Sequence, residues 1–150
     1  MKRSAGIIPF RWNGENLEFF VGHPGGKYWE KKNYWAFLKG GIKNNENILQ
    51  AALREFHEES GIILNSEDNT LRFYYLGDNK QNKNKTVYAF GILYPNIDIT
   101  KCKSNMADNG LNYEIDKYSW KTYEELKECT HSKHLPFYEK LIEILKEKND

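Results

Sequence analysis

A chain of 150 residues and 17.7 kDa, 39% hydrophobic and 29% charged, carries enough apolar material to fold as one domain spanning 1–150 without disulfides. Its charges nearly cancel, to a formal +1, which excludes a disordered polyelectrolyte and a general polyanion-binding surface, so that a phosphorylated ligand would need a local site. Cys102 and Cys129 stand alone, without CxxC or zinc spacing, and read as reduced thiols. The N-terminal apolar run is broken at Arg11, too soon for a signal peptide or membrane span, so the expected compartment is the cytoplasm.

Residues 4–12 and 16–24 predict two strands joined at Asn13-Gly14, a pair suited to the positive backbone angles of a tight hairpin; Pro9 argues against central pairing of the first. Residues 25–35 (GGKYWEKKNYW) predict an aromatic, lysine-rich loop, and residues 35–38 a short strand. Asn47, with Gln50 three residues on, predicts a capped helix over 48–59, and Gly61 sits where it should stop. Residues 71–78 and 86–94 predict strands around a polar hairpin loop, 79–85, and residues 95–110 give little signal. Residues 112–120 predict another strand, Thr122 and Glu125 a capping box, and Pro136 the start of a last helix with Phe137, Leu141, Ile144 and Leu145 on one face. The order is that of a mixed α/β domain.

The helix over 48–59 carries the chemistry. At 100° per residue, Glu55, Glu58 and Glu59 fall within an arc of roughly 100° beside the apolar face of Ile48, Leu49, Ala52, Leu53 and Phe56, while His57 projects away. Like charges at these spacings repel, and Arg54, four residues before Glu58, can neutralise only part of them. Clustered carboxylates suit a divalent cation, and Mg²⁺ binds one or two of them together with waters and substrate phosphates, which points to a phosphate ester or anhydride as substrate. Ala51 leaves space above the acids in this reading. Most Glu-rich helices are merely solvated; the wider pattern argues otherwise. Gly40 is followed after five residues by Glu46 and after seven more by Arg54-Glu55-Phe56-His57-Glu58-Glu59-Ser60-Gly61-Ile62.

This pattern resembles the signature of the Nudix hydrolases at every specified position. SAGIIPF, WAFLKGG and EIDKYSWKTYEELKE resemble the family's flanking segments, so the resemblance covers nearly the whole chain. VGHPGGKYWEKK and HLPFYEKLIE resemble a bacterial-type subgroup of predicted nucleotide pyrophosphohydrolases, with a looser similarity to diadenosine tetraphosphate hydrolases. Leu38 departs from the family's frequent proline, which bears on the stiffness of the approach to Gly40.

The resemblance implies a Nudix-type α/β/α sandwich with a mixed β-sheet, and Mg²⁺-dependent cleavage (Mn²⁺ as substitute) of the P–O–P linkage in a nucleoside diphosphate joined to a moiety X, foremost a dinucleoside polyphosphate or nucleoside triphosphate. It assigns Glu55, Glu58, Glu59 and the Gly40 carbonyl to the metal, Glu55 as first choice of general base, and Arg54 and Glu46 to ordering the acidic edge. Lys39, Lys83 and Lys85 are candidates for phosphate contacts, and Tyr28, Trp29 and Tyr34 for stacking on a base. His23, His131 and His134 show no catalytic spacing. The expected partner is a small nucleotide, with capped RNA within the range, no membrane, and an oligomeric state left open. A Nudix-fold sensor that binds nucleotide without cleaving it, and an acidic domain without ligand, are the alternatives.

Overall fold

A computed structural model describes residues 2–148; residues 1, 149 and 150, the ends of the expected 1–150 domain, lie outside them. The strands are β1 (Lys2–Asn13), β2 (Asn16–Pro24), β3 (Leu38–Gly41), β4 (Phe73–Asn82), β5 (Lys85–Leu93) and β6 (Ile115–Thr122). The helices are α1 (Ile48–Ser60), α2 (Tyr123–Lys127) and α3 (Leu135–Lys148), with 3-10 turns at Ile99–Lys101 and Ser132–His134. Among the described residues no helix is long and apolar enough to cross a membrane.

The sheet order is β4-β5-β1-β2-β6, with β3 also paired to β1. β1 runs parallel to β5 on one side; on the other it is antiparallel to β3 along residues 4–7 and to β2 along residues 10–13. Against expectation, then, β1 is central. Pro9 falls in the gap between its two antiparallel partners, where a missing donor interrupts neither ladder.

Neighbouring residues on β1 and β2 point to opposite faces, as the two-residue period of a strand requires. Ile7 and Phe20 pack with Ala51, Ala52 and Phe56 of α1, whereas Ile8, Phe19 and Val21 pack with Leu126 of α2 and Phe137, Tyr138 and Leu141 of α3. A mixed sheet between two helical layers is the α/β/α sandwich expected. Ala51 is fully buried in the first of these clusters and opens no space above the acids.

Several boundaries differ from the sequence reading, among them β6, which covers 115–122 where 112–120 was expected. The β1–β2 turn is Gly14-Glu15, since Asn13 pairs with Asn16; Gly14 takes φ 65° and Asn13 stays outside the left-handed region, as in a turn with glycine at its first central position. β3 starts three residues beyond residue 35, because the two glycines at 40 and 41 enter the ladder opposite Ala5 and Ser4, while Ala36 forms only a bridge to Gly22. The expected polar loop 79–85 is mostly strand: β4 continues to Asn82, leaving only Lys83 and Asn84 as the turn and placing Lys85 on β5. β4 is an edge strand, and its solvated, polar end has the composition of a loop.

Candidate active site

α1 begins and ends where its sequence directs. Asn47 Oδ1 accepts from Gln50 N at 2.8 Å while Gln50 Oε1 accepts from Asn47 N at 2.9 Å, and Gly61 closes the helix in the left-handed conformation, φ 81°. Beyond it, the amides of Asn105 and Lys103 bond the carbonyls of Glu58 and Ser60, at 2.8 and 3.1 Å, and the Tyr118 hydroxyl donates to the carbonyl of Glu59. The acidic end of the helix is thereby fixed to the chain before β6.

Arg54 organises the acids. Its Nε and Nη2 donate to the two oxygens of Glu46 at 2.6 and 2.9 Å, Nη1 donates to Glu55 Oε1 at 2.8 Å and Glu58 Oε2 at 3.0 Å, and Nη2 also reaches the Gly41 carbonyl at 2.8 Å. Glu46 is held on its other side by the Lys43 amide, 2.9 Å away. The Glu55 carboxyl lies against Gly40: a Cβ there would stand 2.1 Å from Glu55 Cδ, so only glycine fits. Burial raises the Glu55 carboxyl above the usual carboxylate range. Glu59 is buried, and burial, reinforced by the charge of Glu55, pushes it up to about 8. Lys39 beside it is drawn down to about 8 by burial, with the Lys85 ammonium adding to the effect.

A cavity of about 380 Å³ opens beside Glu59. Trp29, Tyr34, Lys39 and Lys85, four of the six candidates for substrate contact, line it. Trp29 and Tyr34 stack on each other with centroids 4.7 Å apart and planes 27° apart, forming an aromatic wall. Tyr28 instead packs edge-on against Trp29, two-thirds exposed with the Lys32 ammonium over its ring, and Lys83 occupies the β4–β5 turn; neither lines the cavity.

The sequence reading missed Gln81, Glu114 and His131, which also line the cavity. It also missed what the buried histidines do. His23 places Nδ1 2.8 Å from Asp116 of β6 and Nε2 2.8 Å from the Lys32 carbonyl, tying the aromatic loop to the sheet. His134 Nε2 lies 2.8 Å from Gln81 Oε1, and its other nitrogen is buried without a partner. No local pattern announces the contacts to Asp116 and Gln81, because each spans distant parts of the chain.

The NUDIX domain family model matches residues 2–141. The chain belongs to the Nudix family. It is 27% identical to an RNA pyrophosphohydrolase of Bartonella henselae, over 94% of this chain and 87% of that protein, and 28% identical to an RNA pyrophosphohydrolase of Mesorhizobium japonicum, over 87% and 80%. Its fold is similar to that of C. elegans Ap4A hydrolase in a binary complex, with a TM-score of 0.70 at 18% identity, covering 97% of this chain and 98% of that one.

In this Nudix domain, residues 40–62 thus bring Glu46, Arg54, Glu55 and Glu58 into one hydrogen-bonded cluster packed against Gly40, while the next acid, Glu59, borders the cavity. Among the described residues no three His, Cys, Asp or Glu side chains stand arranged as a cage for a metal ion. The donor set nevertheless fits Mg²⁺. Its oxygens are hard, Gly40 leaves room for a carboxylate against the backbone, and Mg²⁺ takes only one or two protein carboxylates, with waters and phosphates elsewhere. Glu55 and Glu58 share one guanidinium nitrogen, so a cation would draw a carboxylate away from Arg54.

Proposed function

We propose that this Nudix domain, spanning 1–150, is a cytoplasmic Mg²⁺-dependent hydrolase. It cleaves the P–O–P linkage of a nucleoside diphosphate joined to a moiety X, foremost a dinucleoside polyphosphate or nucleoside triphosphate. One observation carries the reading: the aromatic wall of Trp29 and Tyr34, the cations Lys39 and Lys85, and the acid Glu59 share one cavity. A base stacked on the wall and phosphates beside the lysines would bring the anhydride against the acidic helix. The names of the two bacterial relatives support including the 5′ ends of RNA within X. Free Cys102 and Cys129 accord with a reducing compartment.

Glu55, Glu58, Glu59 and the Gly40 carbonyl would together hold two or more Mg²⁺ ions, with Mn²⁺ as substitute, and these would supply charge stabilisation on the phosphates and activation of water. The protein's own groups do the rest. Glu55, raised by burial, accepts a proton from the attacking water; Arg54 and Glu46 are positioning residues that hold Glu55 and Glu58 side by side; Lys39 and Lys85 meet phosphate charge.

Turnover of purified protein with Mg²⁺ or Mn²⁺ across nucleoside triphosphates, dinucleoside polyphosphates, nucleotide sugars and capped or triphosphorylated RNA tests this, with Glu58→Gln beside it. Cleavage at a P–O–P bond that the variant loses supports the hydrolase. Stabilisation by nucleotide without turnover hands the site to the non-catalytic sensor, and neither response leaves an acidic domain without ligand.

A further inference from the structure

On the side of the Nudix motif that bears Glu46 and Gly41 lies a second groove, of about 530 Å³, whose lining includes Lys2 and Arg3 of β1, Lys43, and Lys85 at the start of β5. Four cations face it against one carboxylate, Glu46, and both oxygens of that carboxylate are already engaged by Arg54. In a chain whose net charge is only +1, this is a local concentration of positive charge. The backbone under the cations is fixed: Lys2 pairs with Lys85 and Arg3 with Thr86 in the parallel ladder, the Ile42 amide bonds the Arg3 carbonyl at 3.0 Å, and the Lys43 amide bonds Glu46. Lys85 also lines the aromatic cavity, so the groove and the cavity meet at one side chain.

Four like charges held around one depression repel one another, and a compact polyanion is the ligand that relieves this. We propose that the groove is a second anion subsite, which takes the phosphate chain of X while the nucleoside occupies the aromatic cavity. Resting on the hydrolase reading above, this narrows the substrate class: the far side of the scissile bond carries further phosphates, as in a 5′-triphosphate or a dinucleoside polyphosphate, and not an uncharged sugar.

Inorganic tripolyphosphate, titrated calorimetrically into protein stripped of divalent metal and then dialysed free of chelator, reads the groove by the difference between the parent and variants of groove residues outside the aromatic cavity. The double variant Lys2→Ala/Lys43→Ala is expected to bind about tenfold more weakly than the parent, whereas Lys140→Ala, an exposed lysine on α3, binds as the parent does. Unchanged melting temperatures establish that both variants fold. Equal affinity in the double variant and the parent overturns the proposal, as does an equal loss in Lys140→Ala, which would mean bulk attraction alone. Competition by a 5′-hydroxyl oligonucleotide as strong as that by tripolyphosphate also overturns it, in favour of a nucleic-acid backbone. In turnover, a fall in kcat/KM for triphosphates relative to nucleotide sugars in the double variant supports the subsite. Absence of all turnover together with groove-dependent tripolyphosphate binding would sink the hydrolase reading and leave the subsite standing.

Discussion

Arg54 grips Glu46 with two parallel charge-assisted hydrogen bonds, through Nε at 2.6 Å and Nη2 at 2.9 Å, and this clamp leaves Nη1 free to reach the two acids of the motif. Both side chains are mostly buried, so the pair is better shielded from solvent than an ordinary surface bridge. Replacing Glu46 by Gln is expected to lower stability by about 1–3 kcal/mol and kcat by about tenfold to a hundredfold, with little change in KM, since the guanidinium then loses its heading. The hydrogen bond from Arg54 holds the Glu46 carboxyl at about 2, below its unfolded value. A depressed acid stabilises the fold above its unfolded pKa and loses that contribution as pH falls through the folded one. Melting temperatures of parent and variant should therefore converge between about pH 4.5 and 2; parallel curves across that window would refute the clamp.

His134 produces an acid response of the same sign in a window that opens at higher pH. Burial, reinforced by the Lys39 charge, draws it down to about 2, so the folded protein keeps it neutral while the unfolded chain takes up a proton below about pH 6.5. The unfolded state then binds more protons, and stability declines as pH falls, by up to about 1.4 kcal/mol per unit. His134→Phe, placed among Phe37 and Phe137, is expected to flatten the stability profile between pH 6.5 and 5, as followed by urea denaturation. A variant profile as steep as the parent's would assign the sensitivity elsewhere.

Gly40→Ala places a methyl group on the Glu55 carboxyl. The acid must swing away, and a displacement of about 1 Å in a reacting group costs on the order of a hundredfold in rate. The expected result is a large loss of kcat with a destabilisation of about 1–3 kcal/mol from overpacking. Retained kcat in a folded variant would show that Glu55 does not need its place against the backbone.

Trp29→Ala removes one face of the aromatic wall but leaves the acids untouched. Stacking of a base is worth about 1–3 kcal/mol, so KM for nucleotides should rise about fivefold or more while kcat holds, and inorganic tripolyphosphate should bind as before. An unchanged KM would place the base somewhere other than against Trp29 and Tyr34.

The acidic helix was legible because its signals are local: Asn47 and Gln50 cap it, Gly61 ends it, and Arg54 reaches Glu58 one turn along. The structure also clamps Arg54 to Glu46 and lines one cavity with Trp29, Tyr34, Lys39 and Lys85. Gln81 and Glu114 were not legible. Gln81 sits on an edge strand whose solvated residues have the composition of a loop, and Glu114 reaches the cavity only because β6 pairs with β2, a partner nearly a hundred residues away. Burial of Glu59 escaped for the same reason: the helix pattern places it at the border of the apolar face, and Lys39 of β3, Tyr118 and the chain around Asn105 approach this end of the helix from elsewhere in the chain.

That covering chain also isolates what lies beyond it. Asn105 bonds Glu58 on one side and accepts from Glu114 on the other, Met106 bridges Tyr113, and the Ala107 amide bonds the Asn112 carbonyl, so residues 108–111 form a tip on a zipped neck. The Glu114 carbonyl in turn receives the Gly25 amide at the start of the aromatic loop. Chain inserted at the tip would leave the neck, and with it the helix end, in place, while adding material next to Gly26, Lys27 and Tyr113. Selectivity can therefore diverge among descendants of this chain at a position mechanically insulated from its acids.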